Sequence, residues 1–333
     1  MTAMPVFSVI LPTYNRCDVV EETLRRLAAV DYPDDAYEIL VADNSTDGTP
    51  AMVERLALEL AVRIRLVATD ERLPAVKRNQ ALRAADGEYV VFLNDDLWVR
   101  PDFLLEHERA HRGHHGPVAV LGHCEQSSQM PTTPFIEWYQ PFCYDEIADE
   151  AGRPVSYRYF WSMNLSLPRR EMLDANLVFH EDWAEIGSED IELGYRWTRS
   201  GRPVIYHPRA WGEHYHPHTL DSACRLQASV GRGLRDLEVL VPEAGLLERY
   251  GVFSWDASLR ARVRGLARGA LFNRATVPYV QRWLGRQARN TALTRWLYWK
   301  VLLHHTNRGY RSAPPRRPVP LVTRARTGHA VTS

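Results

Sequence analysis

The sequence predicts an α/β protein: a mixed, mostly parallel sheet flanked by helices, followed by a helical C-terminal extension. Two observations carry the sheet. Short apolar runs of strand length alternate with segments of helical spacing through the first half, joined by short connections. The runs also stop at polar residues, which puts Pro12, Asp43, Asp95 and Asp96 at one edge, beyond the carboxyl ends of the strands, where open α/β sheets bind ligands. A third observation carries the extension. From Ala257 onward the chain has 15 Arg and one Lys but no Asp or Glu, leaving 25 basic against 41 acidic residues in 1–256.

In chain order, "VFSVILPTY" (6–14) reads as a strand entering a Pro-Thr turn, and "CDVVEETLRRLAAV" (17–30) as a helix with Asp18 as its N-cap. "YEILVAD" (37–43) is a second strand, "NSTDGT" a turn leading into the helix "PAMVERLALEL", and "VRIRLVAT" a third strand. "PAVKRNQALRAADG" is a helix closed by Gly87, and "EYVVFL" the fourth strand. Then come a strand "PVAVLGH", an irregular aromatic-rich insertion over 124–157, and a strand "YRYFWSMNLSLP" (157–168). "SEDIELGYRWTRSG" (188–201) has helical spacing, with Ser188 as cap and Gly201 as stop, and "PVIYHP" is a short strand. The division expected is 1–220 for the α/β part, 221–310 for basic helices and 311–333 for a disordered tail.

Composition excludes several classes. The 333 residues are 45% hydrophobic and 25% charged, as in a soluble globular protein. Cys17, Cys124, Cys143 and Cys224 show no Cys-x-x-Cys spacing, which fits a reducing compartment rather than a disulfide framework. No secretory signal is visible, because the apolar run Val6–Leu11 is stopped by Pro12 and follows no basic segment. The apolar stretch "WLYWKVLL" (296–303) contains Lys300 and falls short of the roughly 20 residues of a membrane helix. A cytoplasmic protein is expected, peripheral on the inner face of the membrane if its basic region docks there.

The stretch "YVVFLNDDLW" (89–98) poses the chemical question. Its apolar half reads as buried strand and delivers Asn94, Asp95 and Asp96 to the sheet edge. A buried, unpaired carboxylate is very costly, so these acids must be hydrated, capped or beside a positive charge. Further along, Glu189 and Asp190 begin a helix, where the dipole alone favours acids. Lys77, Arg78 and Asn79 are consecutive on a helix and cannot all face one way, so one of the two basic residues is expected in solvent. His207, His214, His216 and His218 cluster in sequence, and alternate residues of an extended segment share a face.

In this order, "VILPTYNR", "LVADNSTDGT", "VKRNQALRAADGEYVVFLNDD" and "GSEDIELGYRWTRSGRPVIYHPRAWGEH" resemble the motifs of the inverting, nucleotide-sugar-dependent glycosyltransferases of family 2, which have the GT-A fold. The resemblance covers roughly 6–216. It implies transfer of one sugar from a UDP- or dTDP-type donor to an acceptor hydroxyl, aided by a divalent metal, Mn²⁺ or Mg²⁺, whose preference for carboxylate oxygens suits the strand-end acids. By that resemblance Asp96 and His214 hold the metal, with His216 the competitor, and Asp95 touches the ribose. Asn94 stands where the family often has Asp, and Ala42 where many relatives have a second Asp. Pro12 and Thr13 contribute backbone contacts to the base, Tyr14 stacks on it and Asp43 accepts its imide N–H. Arg78 or Lys77 reaches the nucleotide. Asp190 is the general base, and Glu189 positions the acceptor.

The acceptor is expected to be a glycan, a lipid-linked sugar or a small molecule. Trp138, Tyr139, Phe142, Tyr144, Tyr159, Phe160 and Trp161 fit either its binding site or the core. Two rivals share these needs: a catalytically silent nucleotide- or glycan-binding protein, and a nucleotidyltransferase. For 257–333 the expected partner is an anionic membrane surface, with Trp283, Leu284, Trp296, Leu297, Trp299 and Leu303 as an interfacial helix face. The alternatives are packing of these residues on the body, or pairing of the arginines with its acids across a homodimer. Nucleic acid is disfavoured, since no recognition motif accompanies the charge.

Overall fold

The computed structural model describes residues 6–183, 185–243, 245–252 and 271–314. Its first half follows the expected alternation: β1 (Phe7–Thr13), α1 (Cys17–Leu27), β2 (Tyr37–Asp43), α2 (Thr49–Glu59), β3 (Arg63–Ala68), α3 (Pro74–Ala84) and β4 (Tyr89–Leu93). The four strands are parallel in the order β3-β2-β1-β4. β1 and β2 are buried along almost their whole length, which is why both read as near-continuous apolar runs.

The second half adds β5 (Leu97–Val99), α4 (Phe103–Arg112), β6 (Ala119–Gln126), α5 (Pro134–Trp138), β7 (Pro154–Val155), β8 (Asn164–Pro168), α6 (Arg169–Asp174), α7 (Glu189–Arg199) and β9 (Val204–His214). The sheet then reads β3-β2-β1-β4-β8-β6-β9-β5, with β7 also on β9. β8 runs antiparallel to β4 and to β6, and β9 runs parallel to β6. Between Gly122 and His123 the register on β9 jumps from His207 to Trp211. Gly122 sits there against the Ala210 carbonyl and the Asn164 amide, where a Cβ would collide. The far end of β9 then pairs with β5, Leu97 opposite His214. That pairing delivers the histidine beside Asp96.

Several boundaries differ from expectation, each for a local reason. "PVIYHP" extends into an 11-residue strand because β5 and β6 both pair its second half. The strand expected over 157–168 begins only at Asn164, and 157–159 is a tight turn. Asp18 lies inside the first turn of α1 rather than capping it. Ser188 does not cap α7 either: its φ of +73° is left-handed and its side chain accepts no capping bond. α3 ends before Gly87, at an extended Ala85.

The C-terminal helices are α8 (Leu220–Leu240), α9 (Leu246–Arg249), α10 (Val277–Leu284) and α11 (Ala292–Ser312). α8 and α11 touch backbone to backbone through Gly231 and Gly309, where a Cβ on either would strike the opposite helix. Phe135 and Tyr139 share an apolar cluster with Ala223, Tyr298 and Val301, while Trp183 and Ile191 share another with Leu234, Leu237 and Tyr310. The interfacial face expected for these helices is therefore cut down. Leu284 and Leu303 are buried in packing, and Trp283, Trp296 and Trp299 remain exposed. α11 runs through Arg311 to Ser312, so the tail expected from 311 starts as helix, and 315–333 and 253–270 lie outside the described residues. No helix of the described residues is long and apolar enough to cross a membrane. All four cysteines are free.

Candidate active site

The acids of "LNDD" emerge at the end of β4, as β-strand geometry requires, and their environment answers how they are tolerated. Asp95 and Asp96 are 6% and 1% exposed. Asp95 accepts from Thr13 Oγ1 at 2.6 Å and from Arg16 Nη1 at 2.7 Å. Asp96 accepts from the same Arg16 nitrogen at 2.8 Å and contacts His216 Nδ1 at 2.7 Å. His214 Nε2 lies 3.1 Å from the other oxygen, Oδ1, without hydrogen-bond alignment. Burial pushes the Asp95 carboxyl up to about 6 against the pull of Arg16. For Asp96 burial acts the same way, but His214, His216 and Arg16 together hold its pKa well below the carboxylate range.

Asp96, His214 and His216 bring one ligand atom each within 4.8 Å of one another. One carboxylate and two imidazoles suit a borderline divalent cation, and Oδ1 of Asp96 has no aligned donor, so these residues fit a metal. Both histidines reach the site, since β9 and its continuation place 214 and 216 on one side. His207 does not: its Nε2 is 2.9 Å from Glu106 Oε2. His218 stacks on His216 at 4.0 Å, and burial drives its pKa down to about 3, which keeps it neutral. His214 is buried and His216 half-buried. His214→Ala should therefore cost more Mn²⁺ affinity than His216→Ala, about 10-fold or more in a titration followed by calorimetry; the reverse ranking transfers the main ligand role to His216.

At the neighbouring strand ends, Asp43 Oδ1 is used by Ser45, while Oδ2 is buried with no hydrogen-bond partner. That oxygen is the kind of acceptor a nucleobase N–H would satisfy. Tyr14 presents a 42% exposed ring beside it, with Lys77 Nζ 5.7 Å from the ring centre. Asn15 adopts a left-handed φ of 52°, and its side chain bonds to the Thr46 N–H, tying the loop after β1 to the loop after β2. Pro12 is half-buried and Thr13 buried. The Asn94 N–H donates to the Met163 carbonyl at 3.1 Å.

The expectation that Lys77 or Arg78 faces solvent fails. Lys77, Arg78 and Asn79 are all buried, because α3 lies under the site and each side chain has its own polar partner. Lys77 Nζ donates to the Thr13 carbonyl and, at 2.6 Å, to Asn44 Oδ1. Arg78 Nη1 donates to Glu189 Oε1 at 3.1 Å. Asn79 exchanges hydrogen bonds with the backbone of Phe179. α3 thus couples the ends of β1 and β2 to the start of α7.

Gly187 and Ser188, both with positive φ, turn the chain so that Glu189 and Asp190 head α7. Backbone held in that region is costly for serine and is found where surrounding structure fixes a functional geometry. Glu189 spends its second oxygen on the Gly187 N–H. Asp190 accepts from the Ser162 N–H at 3.2 Å and from the Ile191 N–H at 2.9 Å. Its carboxyl is pushed up to about 6 by burial and by the Glu189 charge, with Arg78 opposing. Ser162 adjoins Met163, the residue bonded to Asn94, so one short segment spans from the strand-end acids to Asp190.

The aromatic crowd divides. Tyr139, Tyr144 and Phe160 are core, whereas Phe142 and Trp161 are half-buried, 5.3 Å apart, with Phe142 6.0 Å from His214. Two participants escaped sequence reasoning. Arg16 stood inside "VILPTYNR" without an assigned role, because the acids it meets lie about 80 residues further along the chain. Ser162 gave none, because its segment read as strand.

Residues 8–160 match the sequence family described as Glycosyl transferase family 2. Validoxylamine A glucosyltransferase of Streptomyces hygroscopicus subsp. jinggangensis is 28% identical over 267 residues, covering 72% of this chain and 63% of that protein. Poly(ribitol-phosphate) beta-N-acetylglucosaminyltransferase TarS of Staphylococcus aureus is 34% identical over 119 residues, 35% of this chain and 21% of that one. The chain thus spans less than two thirds of the length of either relative. Among solved structures, S. aureus TarS 1–349 in complex with UDP superposes with TM-score 0.54 at 18% identity, over 92% of this chain and 91% of that one. Mannosyltransferase PcManGT from Pyrobaculum calidifontis in complex with GDP-Man and Mn²⁺ superposes with TM-score 0.57 at 21% identity, over 93% and 89%.

Proposed function

We propose, for a chain that belongs to glycosyl transferase family 2 through residues 8–160, that it transfers one sugar from a nucleoside-diphosphate donor to an acceptor hydroxyl with inversion. The observation that carries this reading is the linkage of two acid sites by one segment: Ser162 holds Asp190 while Met163 holds Asn94, next to Asp95 and Asp96. Donor and base are thereby kept in fixed relation.

The nucleotide lies across the ends of β1 and β2. Tyr14 stacks on the base, and the unpaired Asp43 Oδ2 accepts an imide N–H, which uracil or thymine offers and cytosine or adenine does not. Neighbours with UDP and with GDP-Man support a nucleoside-diphosphate donor in this fold. Asp96, His214 and His216 hold a divalent cation, Mn²⁺ or Mg²⁺, which when bound stabilises the charge of the departing diphosphate. Arg16 supplies a second, fixed positive charge at the same edge.

On the opposite side, Asp190 takes the acceptor's proton as its oxygen attacks the anomeric carbon. A carboxylate raised to about 6 is better matched to that task than an ordinary one. Glu189, held by Arg78 and Gly187, fixes the start of α7 and lends the charge that raises its neighbour. Phe142 and Trp161 offer ring faces to the sugars. Catalysis is assigned to 1–220, and the exposed tryptophans and basic residues beyond 257 to an anionic membrane surface.

The test is a donor screen that reads released nucleoside diphosphate, with and without Mn²⁺ and with candidate acceptors. Release from a UDP- or dTDP-sugar that requires the cation is expected. Donor binding without any release would favour the silent binding protein instead.

A further inference from the structure

The C-terminal helices enclose a cavity of about 460 Å³ between α8, α10 and α11. Arg225, Arg232, Arg274, Arg308 and His305 line it, and Asp221 is the one acid among its described lining residues. A second cavity of about 260 Å³ shares Arg274 and Arg308 and adds Arg311 and His304. Arg232 is committed to Glu185 at 2.6 Å, and Asp221 accepts from Gln281 at 3.3 Å. Arg225, Arg274, Arg308 and Arg311 have no carboxylate within ion-pair distance among the described residues. His305 Nε2 is buried with no hydrogen-bond partner. These four guanidinium groups are exposed to solvent at the concavity, free of carboxylate partners among the described residues and able to turn their planar forks onto phosphate oxygens.

The rim identifies the kind of phosphate. Phe272 lines the smaller cavity and meets Trp296 edge-on at 5.6 Å. Beside them Leu271 is 66%, Leu293 55% and Trp296 43% exposed. Of the nine large hydrophobic side chains exposed among the described residues, six lie within 271–299. Trp299, also exposed, carries Lys300 Nζ 3.9 Å over its ring. Exposed tryptophan and leucine alternating with cations is the composition of a surface that meets the headgroup layer of a bilayer.

We propose that this cavity binds the phosphate of an anionic membrane lipid, seating the protein on the bilayer through the Leu271–Trp296 rim. The inference rests on the membrane-facing reading of the C-terminal region and is independent of the transfer chemistry. It gives that reading a specific site where diffuse charge would give none. The phosphate enters between Arg274 and Arg308, with the His305 imidazole, its pKa pushed down to about 4, available as a neutral partner.

The experiment is flotation of the full chain with three vesicle types: phosphatidylcholine alone, and phosphatidylcholine with phosphatidylserine or phosphatidic acid at matched surface charge. Binding is expected with both anionic mixtures and strongest with phosphatidic acid, whose phosphate is exposed. Arg274→Gln/Arg308→Gln should weaken it about 20- to 30-fold, the share of two basic residues at an anionic surface. Arg274→Lys/Arg308→Lys keeps the charge and should keep general anionic binding, but lose the preference for phosphatidic acid. Donor hydrolysis should be unchanged in both variants, so failure here is separable from failure of the glycosyltransferase reading. Equal flotation of the wild type and the Gln variant overturns the site. Binding of inorganic phosphate that the Gln variant loses, without flotation of the wild type, overturns the lipid source and assigns a soluble phosphate.

Discussion

Asp190→Asn should lower kcat by about 10²- to 10⁴-fold while leaving donor KM nearly unchanged, the range by which a positioned general base contributes. The amide keeps the size of the carboxylate, and its oxygen can still accept from the Ser162 N–H, so the 161–163 segment keeps its support. What disappears is the ability to take up a proton. The same group should set the pH profile. Its pKa is raised to about 6, so the protonated, inactive form accumulates as pH falls through 6, and activity above that value is flat with respect to this group. The wild type should show an acidic limb near pH 6 in kcat, and Asp190→Asn should lack it. Normal turnover in the variant, or a limb that survives the substitution, would place the base elsewhere.

Glu189 makes this prediction sharper. Its charge is one cause of the raised Asp190 pKa, the second after burial. Arg78 in turn holds Glu189, so α3 acts on Asp190 at one remove. A helix carrying three consecutive polar residues, all buried, was the least expected feature of the sequence. Period-3.6 reasoning assigns one side to solvent, and it failed here because the loops around Asn44, Phe179 and Glu189 close over every side. Strand ends were legible for the opposite reason. A central strand buried on both faces carries a continuous apolar run, so the polar residue that ends the run marks the edge, as Asp43 does after Ile39–Ala42 and Asn94 after Val90–Leu93. The residues proposed as base and metal ligands were legible only through motif order, because nothing local in "SEDIE" or "GEHYH" states what faces it. The bulge at Gly122, which aims His214, depends on a pairing between segments some 80 residues apart and left no mark in either one.

Asp96→Asn should have the second large effect, because it removes a charge. Among the described residues, the Asp96 carboxylate is the one negative group shared by Arg16, His214 and His216. Replacing it with an amide leaves Arg16 still paired with Asp95 at 2.7 Å, so the fold should survive, as circular dichroism and thermal melting can check. The two imidazoles then lose the anion between them, and a divalent cation would find no carboxylate among these three ligands. Mn²⁺ affinity should fall out of the measurable range in calorimetry. Loss of leaving-group stabilisation worth several kcal/mol predicts a drop in transfer of about 10³-fold or more. The metal readout separates this from a folding defect and from loss of the base, since Asp190→Asn should bind Mn²⁺ normally. An Asp96→Asn protein that is folded, binds Mn²⁺ as the wild type does and transfers sugar at the wild-type rate would remove Asp96 from the site. Asp95, already held by Thr13 and Arg16, would then be the acid to test next.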